Sequence, residues 1–410
     1  MTHIPQSGPR PLRIMLVAGE PSGDALGAEL LEALRTLLAA PLDVLGVGGT
    51  RMEAEGLSSL FPMSDIAVMG SGEVILRLPL IFRRMRETAQ LAIRERPDAV
   101  VIIDSPDFTH SVARRIHKAN PDIPIINYVS PQVWAWRPGR AVKMARYLSH
   151  VMALLPFEPA FYDTVPGLRC TFVGHPVLQR VVSGGGEAFR TRHSIPPDAP
   201  ILALLPGSRP NEVKRLIALF IETAHRLRAR FPGLVAVLPT VPNVSALVHE
   251  RLSGESLPLI VIEDEAEKFA AFDAASAALA ASGTVSLELA LARVPTVIGY
   301  RVDRVTASIV RRLINVPSIV LANLVLGRNV VPEYLQGDCT PARLAGVLEP
   351  LMADTAMRRE TLEALGEIRD RLGAAERKSP AMRAAEVVAE IATSEADRTK
   401  TPALVESAGV

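Results

Sequence analysis

Two short segments in the second half of the chain carry side chains suited to holding an anion. Leu205-Pro206-Gly207-Ser208-Arg209 joins a continuous apolar run to a helical one. The unpaired amides and dipole of that helix therefore point at whatever sits above the turn. Gly207 permits close backbone approach, and Arg209 can reach phosphate oxygens through charge-assisted bonds of about 1.5–3 kcal/mol each. The other reading is an ordinary turn with a solvated arginine. Ser282-Gly283-Thr284 followed by Glu288 repeats the theme, with hydroxyls at a helix start and a carboxylate further in. It reads either as helix capping with dipole compensation or as a diphosphate seat with Glu288 accepting from ribose hydroxyls. Together the two segments put anion-cradling turns in one half of the chain.

The first half offers carboxylates instead. Ala18-Gly19-Glu20-Pro21-Ser22-Gly23-Asp24 places two acids and a hydroxyl on a flexible strand-end turn. Ile102-Ile103-Asp104-Ser105-Pro106-Asp107 sets Asp104 at the carboxyl end of an apolar strand, where open α/β sheets keep their ligand groups. A carboxylate there suits general-base work, and Asp107 reads better as a turn or cap residue. The segment from Tyr128 to Arg137 holds both tryptophans, which form either core packing or a substrate-facing wall. Gly174-His175-Pro176 reads as a boundary turn. Residues 74–86 mix a dense apolar run with Arg77, Arg83, Arg84 and Arg86. That run is either a buried helix with solvated arginines or an interfacial patch, inserting apolar side chains beside anionic headgroups.

Several chemistries are excluded or disfavoured. Gly46-Val47-Gly48-Gly49 lacks the third glycine of a dinucleotide fingerprint, because Arg51 stands there, so a tight turn is the better reading. No P-loop and no nucleophile-elbow motif occurs. Eight histidines and two distant cysteines, Cys170 and Cys339, form no ligand spacing, so no metal is expected. With 45 basic and 44 acidic residues, no general attraction to nucleic acid exists. The start of the chain has no signal-peptide core, and no apolar stretch approaches a membrane span. A cytosolic protein, at most resting on a membrane surface, is the expectation.

The elements that must position these groups follow a strand–turn–helix alternation over 410 residues. Strands are expected at 12–17, 42–47, 99–103, 123–129 and 151–155. After the flexible joint Ser183-Gly184-Gly185-Gly186 they recur at 201–205, 234–238, 259–262, 277–281 and 296–300. Both halves open with strand, small-residue turn and helix. The expected fold is therefore α/β, with two Rossmann-like domains carrying parallel sheets that face across a cleft. Residues 341–391 read as helices packing across the domains, and 392–410 as a disordered tail.

Taken together the motifs AGEPSGD (18–24), IDSPDF (103–108), YVSPQVWAWR (128–137), LLPFE (154–158), FVGHP (172–176), LPGSR with EV (205–213) and ASGT with LE (281–288) are diagnostic. The chain resembles the lipid-A-disaccharide synthases, glycosyltransferases of GT-B architecture, from about residue 12 to 391. Ala322 departs from the pattern, standing where proline is expected before Asn323. The resemblance implies an inverting transfer of 2,3-diacylglucosamine from UDP to 2,3-diacylglucosamine 1-phosphate. It implies no cofactor and no metal. Residues 1–180 would carry the acceptor and the base Asp104, with Glu20, Ser22 and Asp24 lining the acceptor side. Residues 187–340 would hold the UDP-sugar through Gly207, Ser208, Arg209, Glu212, Ser282, Gly283, Thr284 and Glu288. Asn323 and Arg328 would close the cleft. Acylated substrates imply a peripheral enzyme on the inner face of the cytoplasmic membrane, touching it through Leu76, Arg77, Leu80, Phe82, Arg83, Arg84 and Arg86. A homodimer is compatible with this picture, and nucleic acid is not a partner. The rival readings are a GT-B transferase or epimerase of unacylated UDP-N-acetylglucosamine, and a two-domain binding protein.

Overall fold

The structure, a computed structural model, describes residues 10–67, 71–181, 184–303 and 316–398, with backbone alone for 71–76 and 395–398. The chain divides into two compact units, Met1–Pro176 with Glu376–Val410, and Val177–Ala375. The boundary falls on the Gly174-His175-Pro176 turn.

The first unit is built on strands β1 (Leu12–Ala18), β2 (Leu42–Val47), β3 (Ser58–Ser59), β4 (Ala99–Ile103), β5 (Ile125–Tyr128), β6 (His150–Ala153) and β7 (Arg169–Phe172). They form one sheet in the order β3-β2-β1-β4-β5-β6-β7, every pair parallel. Ile14 to Ala18 and all of β4 are inaccessible to solvent, the condition of strands covered on both faces. Alternation sorts their side chains. Ile14, Leu16, Val101 and Ile103 meet helices α1 (Pro21–Leu37) and α6 (Pro380–Arg398). Met15, Val17, Val100 and Ile102 meet α2 (Ser71–Glu95) and α3 (Pro106–Ala119). Helix α6 docks through Ala381, Ala384, Ala385, Val388 and Ala392, a helical stripe against Leu30, Leu31 and Leu34 of α1.

The second unit repeats the plan with β8 (Ile201–Leu205), β9 (Val235–Pro239), β10 (Leu259–Ile262), β11 (Ala277–Ala280), β12 (Thr296–Tyr300) and β13 (Glu333–Leu335). Their order is β10-β9-β8-β11-β12-β13, again wholly parallel. Leu202, Leu204 and Leu279 pack against Val213, Leu216, Ile217 and Phe220 of α4 (Pro210–Arg228) and Leu344 and Leu348 of α5 (Pro341–Met352).

Three expectations change. The apolar pattern does not predict strands β3, β7 and β13; each is a partly exposed edge strand of two to four residues, too brief for a period to show. The helices of 341–371 stay with the second unit, whereas α6 returns to the first, so the stretch is divided between the units. Helix α6 also runs to Arg398, past the expected start of a tail at 392, because Ala392 still belongs to its buried stripe. Residues 399–410 lie outside the described residues, as do 182 and 183, the second of which opens the expected joint. Among the described residues no helix is long and apolar enough to cross a membrane.

Candidate active site

Each sheet reverses its winding direction once, between β1 and β4 and between β8 and β11. Ligands of open α/β sheets bind outside the carboxyl ends of strands at such switch points. The segments picked out by chemistry alone sit there: 18–24 after β1, 103–108 after β4, 205–209 after β8 and 281–284 after β11.

In the first unit, Asp104 and Ser105 adopt left-handed backbone conformations in succession, at φ 49° and 46°. Val129, just past β5, does the same at φ 75°, a genuine outlier for a β-branched residue. Such strain persists only where surroundings over-determine it, and it concentrates at functional sites. Here the surroundings are visible. The Asp104 amide donates to Tyr128 O (3.1 Å), Thr109 Oγ1 donates to Asp104 O (2.7 Å), and the Val129 amide donates to Met152 O (3.1 Å). The half-buried Asp104 carboxylate has no hydrogen-bond partner among the described residues. Gly19 closes the approach between the two turns, since a Cβ there would lie 2.6 Å from Ser105 Oγ. Glu20 and Ser22 are exposed at the start of α1, beside this turn.

Asp24 is different from expectation. It is buried, and its carboxylate accepts from the amides of Gly49 (2.7 Å), Arg51 (3.0 Å) and Met52 (3.1 Å). It caps the helix Thr50–Ala54 and pins the glycine turn after β2, so its oxygens are spent on structure.

In the second unit the Leu205–Arg209 turn is partly filled from within. The Glu212 carboxylate accepts from the amides of Ser208 (3.2 Å) and Arg209 (3.3 Å) and from the Tyr300 hydroxyl (3.0 Å). Glu212 thus braces the turn, and its charge opposes rather than receives a phosphate. Gly207, at φ 115°, leaves the room Glu212 needs: a Cβ would lie 2.5 Å from Glu212 Oε2. Asn243 Nδ2 donates to Ser208 O (2.8 Å) from the next turn. The Arg209 side chain is 80% exposed, held to Glu212 only at 3.4 Å, and so is available to an incoming anion. After β11, Ser282 Oγ donates to Ile319 O (2.9 Å), and Thr284 is exposed. The amides of Gly283, Thr284 and Val285 have no acceptor among the described residues. Glu288 is tied to Lys268 (3.0 Å), a residue sequence reasoning missed because it stands twenty positions away on the helix Glu265–Ala274.

Asn323 and Arg328 do not stand ready for substrate. Asn323 is buried; its amide donates to Ser318 Oγ (3.1 Å) and Val331 O (2.9 Å) and accepts from the amides of Val330 (2.9 Å) and Val331 (2.8 Å). All its bonding capacity goes to bracing one loop. Arg328 forms a two-pronged pair with Glu367 of the same unit.

Another missed residue is Glu158, which closes the LLPFE motif after Pro156 and Phe157. It is buried, and it accepts from Trp134 Nε1 (3.0 Å) and the Leu155 amide (2.9 Å). Burial pushes its carboxyl up to about 7, against the opposing pull of these bonds. The two tryptophans therefore divide: Trp134 is anchored inside, and Trp136 is exposed with the Arg137 guanidinium 4.2 Å over its ring.

The arginine-rich segment forms the first half of α2. Leu78 and Phe82 are exposed, as are Arg83 and Arg86, and Leu80 is half buried. Arg84 is not available to headgroups. It pairs with Asp65 and Glu87 (each 2.6 Å) and lies 4.6 Å over the Phe61 ring. Arg83 pairs with Glu87 (2.8 Å), and Arg77 donates to Ser64 O (3.2 Å). The Leu76 side chain lies outside the described residues. Among the described residues no group of three or more His, Cys, Asp or Glu could hold a metal ion.

Two parallel sheets of Rossmann type with chemical groups at both switch points define the GT-B fold class, and the solved structures of similar fold agree. A Staphylococcus aureus MnaA–UDP structure superposes at TM-score 0.62 with 12% identity, over 95% of this chain and 99% of that one. Acinetobacter baumannii MurG does so at 0.55 with 13% identity, over 93% and 99%. A family profile described as lipid-A-disaccharide synthetase matches residues 14–387. The lipid-A-disaccharide synthase of Rhodospirillum centenum is 48% identical over 385 residues, 94% of this chain and 96% of the relative. That of Bradyrhizobium diazoefficiens is 46% identical over 378 residues, 92% and 95% of the two chains. The chain belongs to the lipid-A-disaccharide synthetase family.

Proposed function

We propose that this glycosyltransferase moves 2,3-diacylglucosamine from UDP to the 6-hydroxyl of 2,3-diacylglucosamine 1-phosphate, giving the β-1,6-linked disaccharide 1-phosphate and UDP. The acceptor oxygen attacks the anomeric carbon, the bond from that carbon to the diphosphate breaks, and the configuration inverts. Asp104 takes the hydroxyl proton. The observation that carries this role is an unengaged carboxylate on a doubly left-handed turn at a switch-point strand end. The departing diphosphate gathers charge, and donors fixed in advance stabilise it best. The Arg209 guanidinium, the Gly207 amide and the amides of 283–285 take that part, with no metal assigned a role. Glu288, steadied by Lys268, receives ribose hydroxyls. Ser208 and Glu212 shape the turn, and Glu20 and Ser22 border the acceptor. Family membership disfavours the alternative of an unacylated UDP-N-acetylglucosamine substrate.

Four acyl chains, at about 0.8 kcal/mol per buried methylene, keep both substrates in a bilayer. The enzyme therefore works at the cytoplasmic membrane's inner face, and the exposed Leu78 and Phe82 with Arg86 beside them are the contact.

Asp104→Asn swaps one oxygen for an amide and is expected to lower turnover by about 10²- to 10⁴-fold while leaving UDP affinity intact. Product formation from acylated substrates, read by mass spectrometry, decides it: near-normal turnover removes Asp104 as the base.

A further inference from the structure

In the first unit a groove of about 710 Å³ opens between α3 and the helix Gly139–Met144. Arg114, Lys118, Arg137, Arg140, Lys143 and Arg146 line it, and no carboxylate is among the lining residues. None of the six forms an ion pair among the described residues, unlike Arg13, Arg84 and Arg328, which all pair with acids. In a chain with 45 basic and 44 acidic residues, such a cluster is not a by-product of composition. The carboxyl-terminal dipole of α3 favours Lys118 in its last turn, but Arg114 and the cations on the facing segment stand outside that account. A bound anion would offset their like charges, and arginine forks match phosphoryl oxygens in pairs. The Tyr147 ring, which Arg114 overlies at 5.8 Å, gives the groove one apolar wall.

We infer that this groove binds a ligand bearing clustered phosphoryl groups, a phospholipid headgroup or a soluble phosphorylated compound, apart from the strand-end residues assigned to transfer. Its volume suits a whole headgroup rather than a lone phosphate. The inference stands on the groove's own lining and does not depend on the roles given to Asp104 or Arg209.

The test uses the full chain saturated with UDP, so that pyrophosphate reports on the groove. Inorganic pyrophosphate is titrated calorimetrically into the wild type and into Arg140→Gln/Lys143→Gln. Wild-type binding that weakens with added salt, and falls about tenfold or more in the variant, is the expected result. No wild-type binding, or equal binding by both, overturns the inference. Vesicles of phosphatidylcholine with and without phosphatidylglycerol identify the source. Loss of the phosphatidylglycerol-dependent sedimentation in the variant assigns a lipid headgroup, and its retention alongside lost pyrophosphate binding assigns a soluble ligand. An unfolding midpoint equal to or above that of the wild type excludes a folding defect, and the single variant Lys143→Gln gives the same reading if the double one is unstable.

Discussion

Glu158 makes the buried network at the end of β6 sensitive to pH. Its carboxyl is pushed up to about 7 in the folded protein, from an ordinary value of 4.5, chiefly by burial. Between those two pH values the unfolded chain has released the proton and the folded one has kept it. Stability from this group is therefore complete below about pH 4.5, falls as pH rises towards 7, and is lowest above it. At about 1.4 kcal/mol for each pH interval of one, the loss amounts to about 3 kcal/mol. Glu158→Gln cannot ionise, so its unfolding free energy lacks this component. It costs something at every pH, because the amide nitrogen that replaces one oxygen is a donor and leaves either Trp134 Nε1 or the Leu155 amide without its acceptor. Urea unfolding of both proteins from about pH 5 to pH 8 isolates the effect, since all other titrations cancel in the difference. The wild type's advantage over the variant should shrink by about 2.5 kcal/mol across that range, the rest having gone below pH 5. A difference that stays constant, or grows, refutes the buried-acid account.

Arg209→Ala should weaken UDP binding about tenfold or more, by loss of charge-assisted bonds, and leave acceptor binding unchanged; calorimetry with UDP showing equal affinity would remove Arg209 from the diphosphate. Asn323→Ala strips the partner from the Val330 and Val331 amides and should cost about 2–4 kcal/mol in urea unfolding. A loss below about 0.5 kcal/mol would show that the loop finds other partners. Leu78→Asp/Phe82→Asp, with Arg84 left in its ion pairs, should reduce flotation with anionic vesicles without lowering the unfolding midpoint. Full flotation would place the membrane contact elsewhere.

The chemistry at the switch points is legible in the sequence because it is local. A fully apolar strand followed by Gly-Ser-Arg or Asp-Ser-Pro carries its own geometry: the strand's burial on both faces fixes the sheet, and the turn must then open at the strand's end. Polar side chains that bond over long sequence distances give no such signal. Asp24 reads as an acceptor-side carboxylate, but the Gly49, Arg51 and Met52 amides occupy it. Asn323 and Arg328 read as cleft residues, but Val330, Val331 and Glu367 claim them. Glu212 reads as a ligand group, yet it folds back on its own turn.

By itself the sequence determined the alternation of strands and helices, the two-unit plan and the turns bearing Asp104, Arg209 and Ser282, since hydrophobic period and turn chemistry act over a few neighbours. Only the tertiary structure decided the edge strands β3, β7 and β13, whose backbones pair with an adjoining strand far away in the sequence. It alone also sent α6 back to α1, because an alanine stripe suits any close-packing face and says nothing of which one it will meet.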